Sequence, residues 1–179
     1  IPTWVQEGGH KAWVNRMKEP KARKRLLKDI REELSQQPPE GILMVGFKNP
    51  SMADKYQGKT IAEASEMRKQ SPEETIIDMI IEDDSRIQCI YFSMSDQNIR
   101  KKIKLPWVSF CSDAGSYSDP KEGFRTHPRA YGSFIRVLGK FSRDENLLSL
   151  EEAIRKLSGL PASNLGLKDR GLLKENYFG

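Results

Sequence analysis

Two apolar runs of strand length, Ile42–Phe47 and Trp107–Cys111, limit the architectures open to this chain of 179 residues. Neither approaches the ~18 consecutive apolar residues that span a bilayer. Both are nearly continuous rather than alternating, which is the pattern of a strand covered on both faces. Segments with helical spacing separate them, and strands alternating with helices imply an α/β fold with parallel strands. The length suits one domain, at ~100–200 residues each, with a core that needs no staples. Hydrophobic residues make up 37% and charged residues 31%, a mix that excludes both wholesale disorder and a membrane protein.

Residues 1–41 read as a helical segment. Ile1–Val5 is expected to be extended or a loop, because Pro2 disfavours helix before it, and Gly8-Gly9 interrupts the chain. From His10, Ala12, Trp13 and Met17 mark a helix that ends at Pro20. A second helix runs from Pro20, which suits a first turn, to about Gln36. It has Leu26, Leu27, Ile30 and Leu34 at helical spacing, and Pro38-Pro39 ends it. Gly41–Phe47 follows as a buried strand and 48–58 as a loop. Thr60 with Glu63, and Ser71 with Glu74, are capping-box signals for helices over 60–69 and 71–82. Ile87–Phe92 is strand-like, Ser95 starts a short helix to Lys104, and Leu105–Ser112 is a further buried strand. Asp113–Pro128 is a long polar loop of the kind that often carries function. Helices are expected at 131–143 and at 149–158, the latter with Ser149 and Glu152 as a box. Turns and short pieces fill 159–179.

The net charge of +5 belongs mostly to one helix. Seven basic residues lie between Lys18 and Arg31, with Arg16 just before them. Such a helix suits nucleic acid or an acidic partner, and a solvated amphipathic face accounts for it equally well, since no aromatic residues alternate with the charges. Cys89 and Cys111 sit in apolar runs and are expected to be small buried thiols. With two cysteines there is no disulfide scaffold. The Trp residues fit a core or cleft lining.

Chemistry concentrates around the 113–128 loop. Asp113 would stand at the C-terminal end of a buried strand, the edge that carries active sites in barrels and open α/β sheets. It could serve as a metal ligand, as a general base, or simply as a turn cap. At the other end of the loop, Arg129 offers a planar fork for a carboxylate or phosphate, and His127 could titrate or bind metal. A surface salt bridge and a packed histidine are the plainer alternatives. A phosphate-binding glycine loop, a nucleophile elbow and a zinc-spaced histidine pair are all missing. A catalytic zinc site takes ~3 protein ligands, which the sequence does not supply.

The order of several motifs resembles the closing segment of the N-acyl-D-amino-acid deacylases (D-aminoacylases) of the amidohydrolase superfamily. They are Cys111-Ser-Asp-Ala-Gly115, His127-Pro-Arg-Ala-Tyr-Gly132, Phe134-Ile-Arg-Val-Leu-Gly139, Leu148–Leu157, Leu160-Pro-Ala162 and Leu165–Gly171. Upstream, Pro2–Val5, Glu7–Gly9, Gly58–Glu63 and Ser71–Glu74 also fit. The resemblance implies the C-terminal part of a metal-dependent (β/α)8 TIM barrel. Ile42–Phe47 and Trp107–Ser112 would be its last two strands, residues 48–104 their connection with a cleft-lining insert, and 113–179 the active-site loop and C-terminal helices.

It also implies hydrolysis of an N-acyl-D-amino acid to a D-amino acid and a carboxylate, with zinc as cofactor. Asp113 then matches the general base and metal-associated aspartate, and Arg129 the arginine that binds the substrate α-carboxylate. Gln57 stands where some members have a substrate-contacting serine, and His127 is a further candidate. The family's His-x-His pair, cysteine ligand and later histidines would precede Ile1, so the chain alone is expected to be inactive. Expected partners are a small-molecule substrate, with no nucleic acid and no membrane, and exposed apolar strand edges suggest self-association. The compartment is left open, because the N-terminus is expected to lie upstream of Ile1, with a cytoplasmic location favoured. The competing reading is a basic α/β binding module built on Lys18–Arg31.

Overall fold

Prolines and capping side chains set the helix boundaries of the first of two units, Ile1–Ser93. The second unit comprises the described residues beyond it. The structure is a computed structural model that describes residues 1–115 and 127–178. In the first unit, α1 (Thr3–Gln6) replaces the expected extended start. Pro2 stands at its N-cap, where the missing N–H of proline costs nothing, and Val5 is fully buried. Helices α2 (Gly9–Lys18) and α3 (Pro20–Gln36) lie where the periodicity puts them. Trp13, Met17, Leu26 and Ile30 form one core cluster with Val5, Ile77 and Ile80.

Strand β1 (Ile42–Gly46) is buried at alternate positions. Its partner is β2 (Gln88–Tyr91), and the pairing is antiparallel, with a register shift between Met44 and Gly46. The expected parallel sheet is therefore corrected to a two-stranded antiparallel one. The reason lies at the other edge of β1. There the Met44 N–H donates to the Lys59 carbonyl (3.0 Å) and the Gly58 N–H to the Met44 carbonyl (2.8 Å), so irregular chain, not a strand, fills that side.

The expected 48–58 loop contains a helix, α4 (Pro50–Tyr56). Asn49 accepts from the Ser51 N–H (3.1 Å) and Pro50 takes the first turn, so Asn-Pro is a helix start here. Met52 and Tyr56, four residues apart, bury into the cluster of Ile42, Met44 and Phe47. The buried Asp83 carboxylate accepts from the Lys48 N–H (3.1 Å), the Asn49 N–H (2.9 Å) and the Ser85 hydroxyl. Helices α5 (Ile61–Arg68) and α6 (Pro72–Asp83) carry the two expected capping boxes in full.

In the second unit α7 (Asp96–Ile103) begins on Ser95, whose hydroxyl accepts from the Asn98 N–H. Residues 105–115 form no strand, which corrects the expected buried strand there. A strand needs a ladder partner, and the unit has none among its described residues. Trp107 is accordingly 69% exposed rather than core, and Cys111 is exposed rather than buried. Helix α8 (Arg129–Arg136) continues into π-helical turns over Val137–Asp144. Helix α9 (Leu150–Ile154) does the same over Arg155–Gly159 before α10 (Leu160–Asn164). Ser149 accepts from the Glu152 N–H (3.2 Å), but the Glu152 carboxylate turns to Arg155 (2.7 Å), so only half of that box forms. Ile103, Val137, Phe141, Leu148 and Ala153 make the core of this unit. Gly171 crosses close to α10, where a Cβ would lie 2.5 Å from that of Ala162. The described residues are thus mainly helical, with one small sheet.

Candidate functional site

The second unit brings together the two residues at either end of the 113–128 loop. Most of that loop, 116–126, lies outside the described residues. Arg129 is the first residue of α8, immediately after Pro128 at the N-cap. Its Nη1 lies 3.0 Å from Asp113 Oδ2 as an ion pair, with the arginine side chain 45% and the aspartate side chain 81% exposed. Asp113 adopts a left-handed backbone, φ 49°, a conformation that Asp and Asn reach more readily than other non-glycine residues. The Ala114 N–H donates to the Ser112 hydroxyl next to it (3.3 Å). His127 uses its Nδ1 to accept the Arg129 N–H (3.0 Å), which leaves Nε2 to carry the hydrogen in the neutral form.

The arrangement therefore offers a solvent-accessible carboxylate, a guanidinium fork and an imidazole fixed by one backbone bond. The fork is suited to bind a carboxylate ligand in two parallel bonds. Gln57 lies in the first unit. Its Nε2 donates to the Val45 carbonyl (2.7 Å), so its amide is engaged by β1. No group of three His, Cys, Asp or Glu side chains among the described residues could hold a metal. Asp113 is a single carboxylate already paired with arginine, so the residues present do not fit a metal cage by themselves.

Lys156 is a residue that sequence reasoning missed. It is fully buried. Its Nζ donates to the Ile103 carbonyl (2.7 Å) and to the Leu105 carbonyl. Burial holds its ammonium below the usual lysine range. The available signal was its place three residues after Ala153, on the buried stripe of the helix. The basic stripe of α3 is largely paired within its own unit: Arg23 with Asp78 (2.7 Å), Arg31 with Glu73, and Lys28 with Glu32 (3.7 Å). Arg25 stacks on Trp4 (4.3 Å). Cys89 is partly buried, and burial pushes its thiol up to about 11. No described helix is long and apolar enough to cross a membrane.

Solved structures of amidohydrolases share this fold. A D-aminoacylase described as having a binuclear metal centre aligns with a TM-score of 0.62 and 27% identity, over 77% of this chain and 26% of its own. An N-acyl-D-glutamate deacylase from Bordetella bronchiseptica, complexed with zinc and a phosphonate mimic of the tetrahedral intermediate, aligns with a TM-score of 0.64 over 80% of this chain and 28% of its own. At 23% identity that likeness shows the fold alone.

Among curated proteins, N-acyl-D-glutamate deacylase of Alcaligenes xylosoxydans xylosoxydans is 42% identical over 84 residues, 47% of this chain and 16% of the relative. N-acyl-D-aspartate deacylase of the same organism is 41% identical over 88 residues, and its D-aminoacylase 37% over 89 residues. About half of the chain is homologous to these deacylases, and it spans about a sixth of their length. No family model matches the chain.

Proposed function

We propose that the chain supplies the proton-transferring carboxylate and the carboxylate-binding arginine of an amidohydrolase that cleaves N-acyl-D-amino acids. The observation that carries this reading is the 3.0 Å contact between Asp113 and Arg129, two residues sixteen positions apart that the motif resemblance assigns to the same chemistry. In this reading Arg129 anchors the α-carboxylate of the substrate and so fixes the distance from that anchor to the scissile amide. Asp113 takes a proton from the attacking water and returns it to the leaving amine, which must depart neutral. The substrate carboxylate competes with Asp113 for the guanidinium, so binding would release the Asp113 oxygens.

The D-aminoacylase described with a binuclear metal centre supports a metal cofactor. Asp113 would contribute one ligand to a set that the described residues do not complete. The matched region would then be the C-terminal part of a (β/α)8 barrel, and the 179-residue chain alone is expected to release no D-amino acid.

A chimera tests this. The matching stretch of the Alcaligenes N-acyl-D-glutamate deacylase is replaced by that of the present chain, and D-glutamate release from N-acetyl-D-glutamate is followed. Activity lost in Asp113→Asn, together with a raised KM in Arg129→Lys, is expected. A folded chimera that is inactive, or that ignores both changes, would sink the reading.

A further inference from the structure

Between the end of α7 and Asp113, the chain is tied down by two consecutive residues, Arg155 and Lys156. The Phe110 N–H donates to the Lys156 carbonyl (3.3 Å). Lys156 Nζ donates to the carbonyls of Ile103 and Leu105 and lies 5.9 Å from the Phe110 ring centre. Arg155 Nη2 donates to the Pro106 carbonyl (2.6 Å), while its other contacts hold it to Glu152. The last carbonyls of a helix have no intrahelical donor; at the end of α7 that of Ile103, and that of Leu105 just beyond it, are met by a lysine at 0% exposure.

Burying an ammonium is costly unless its donors are satisfied. An apolar side chain would fill the same space without that cost, so packing alone does not explain a lysine. Lysine adds donors that bind particular carbonyl oxygens, and so fix the height and direction of the segment that leaves α7. That segment contains no strand or helix of its own between Leu105 and Asp113. Its course is set by these side-chain ties together with two backbone bonds, Phe110 N–H to the Lys156 carbonyl and Val108 N–H to the Leu105 carbonyl (3.1 Å).

We infer that Lys156, with Arg155 beside it, is a positioning residue that fixes the 105–113 segment and thereby holds the Asp113 carboxylate against Arg129. The inference rests on the reading of Asp113 and Arg129 as a functional pair, and goes beyond it by assigning a residue 43 positions away in sequence to the geometry of that pair. Misplacement of a reacting group by ~1 Å can cost ~10²-fold in rate, so a tie of this kind is chemically consequential without touching substrate.

The test uses the 179-residue chain and needs no turnover. Amide exchange of residues 107–113 is compared with that of the core residues 137–153 in wild type, Lys156→Met and Lys156→Arg. The ¹⁵N resonance of the Arg129 guanidinium reports the pair with Asp113. The expected result for Lys156→Met is a tenfold or greater acceleration confined to 107–113, with an Arg129 resonance moved to that of a free guanidinium. Lys156→Arg, which keeps a charged donor, restores both in part. Unchanged exchange at 107–113, or acceleration that is the same across 137–153, would overturn the inference and leave Lys156 as an ordinary structural residue. If instead the chimera above proves inactive while this exchange pattern appears, the positioning role stands and the deacylase reading is what fails.

Discussion

Replacing Asp113 by Asn and by Ala separates what this residue does for stability from what it does for chemistry. The ion pair with Arg129 is 3.0 Å long, but the aspartate side chain is 81% and the arginine side chain 45% exposed. Exposed pairs of this kind contribute ~0–1 kcal/mol, because water and salt screen them and two long side chains must be ordered. The backbone at Asp113 is left-handed, φ 49°. Asn adopts that region as readily as Asp, whereas other side chains meet a penalty of ~1–2 kcal/mol. Asp113→Asn should therefore shift stability by less than ~1 kcal/mol, and a shift that small moves the melting temperature of a unit this size by only a few degrees, at ~4–8 °C per kcal/mol. Asp113→Ala adds the backbone penalty and should melt lower than the Asn variant.

Activity in the deacylase chimera should behave in the opposite way. Both changes remove the proton acceptor and should lower kcat by ~10²–10⁴-fold, with Asn no better than Ala. Thermal unfolding by circular dichroism and a D-glutamate release assay read the two quantities on the same protein. Equal melting of the two variants would refute the strain argument. An Asn variant retaining more than a tenth of the activity would refute the role of the carboxylate.

In the first unit, Asp83→Ala should destabilise by ~4.5 kcal/mol or more in urea unfolding, since the buried carboxylate accepts two backbone N–H groups and a hydroxyl, and bonds to a charged acceptor are worth ~1.5–3 kcal/mol each. Asp83→Asn, with one acceptor left, should lose about half as much, and equal losses would refute the count of bonds. Cys111 should alkylate with iodoacetamide at neutral pH while Cys89 stays unmodified until the chain unfolds, because burial keeps the Cys89 thiol protonated; mass mapping decides it. Burial raises the Glu73 pKa, but a backbone N–H and Arg31 more than offset this and hold it below the usual range. Its contribution is therefore present above the ordinary glutamate pKa of ~4.3 and lost as pH falls through the lower folded value. Glu73→Gln should flatten that acid limb in melts below about pH 4, and an unchanged limb would assign the acid sensitivity elsewhere.

Helix positions were the legible part of the fold, because their signals are local. Pro20, Thr60 with Glu63, and Ser71 with Glu74 each fix a boundary within four residues, and the structure has those boundaries. Strand partners are not local. Nothing within Ile42–Phe47 says that one edge will meet residues 88–91 in antiparallel fashion and the other residues 58–59. The run at 107–111 looked equally apolar, yet without a ladder partner among the described residues it remains irregular and exposes Trp107. Asn49-Pro50 was misread because the same dipeptide that opens a turn also caps a helix. Asp113 and Arg129 were legible by residue type and motif order, whereas Lys156 was not, since a lysine on a helix is ordinarily read as solvated.

Gly171 changes what the C-terminal motif means. Its φ of 84° excludes most side chains, and a Cβ there would collide with Ala162 and press on the Ser158 carbonyl at 3.1 Å. That same turn is held by the Ser158 hydroxyl donating to the Gly171 carbonyl (3.0 Å). The glycine that closes Leu165–Gly171 is thus demanded by the crossing of two backbones, whatever the substrate. A motif ending in such a residue reports kinship of fold and carries no information about substrate.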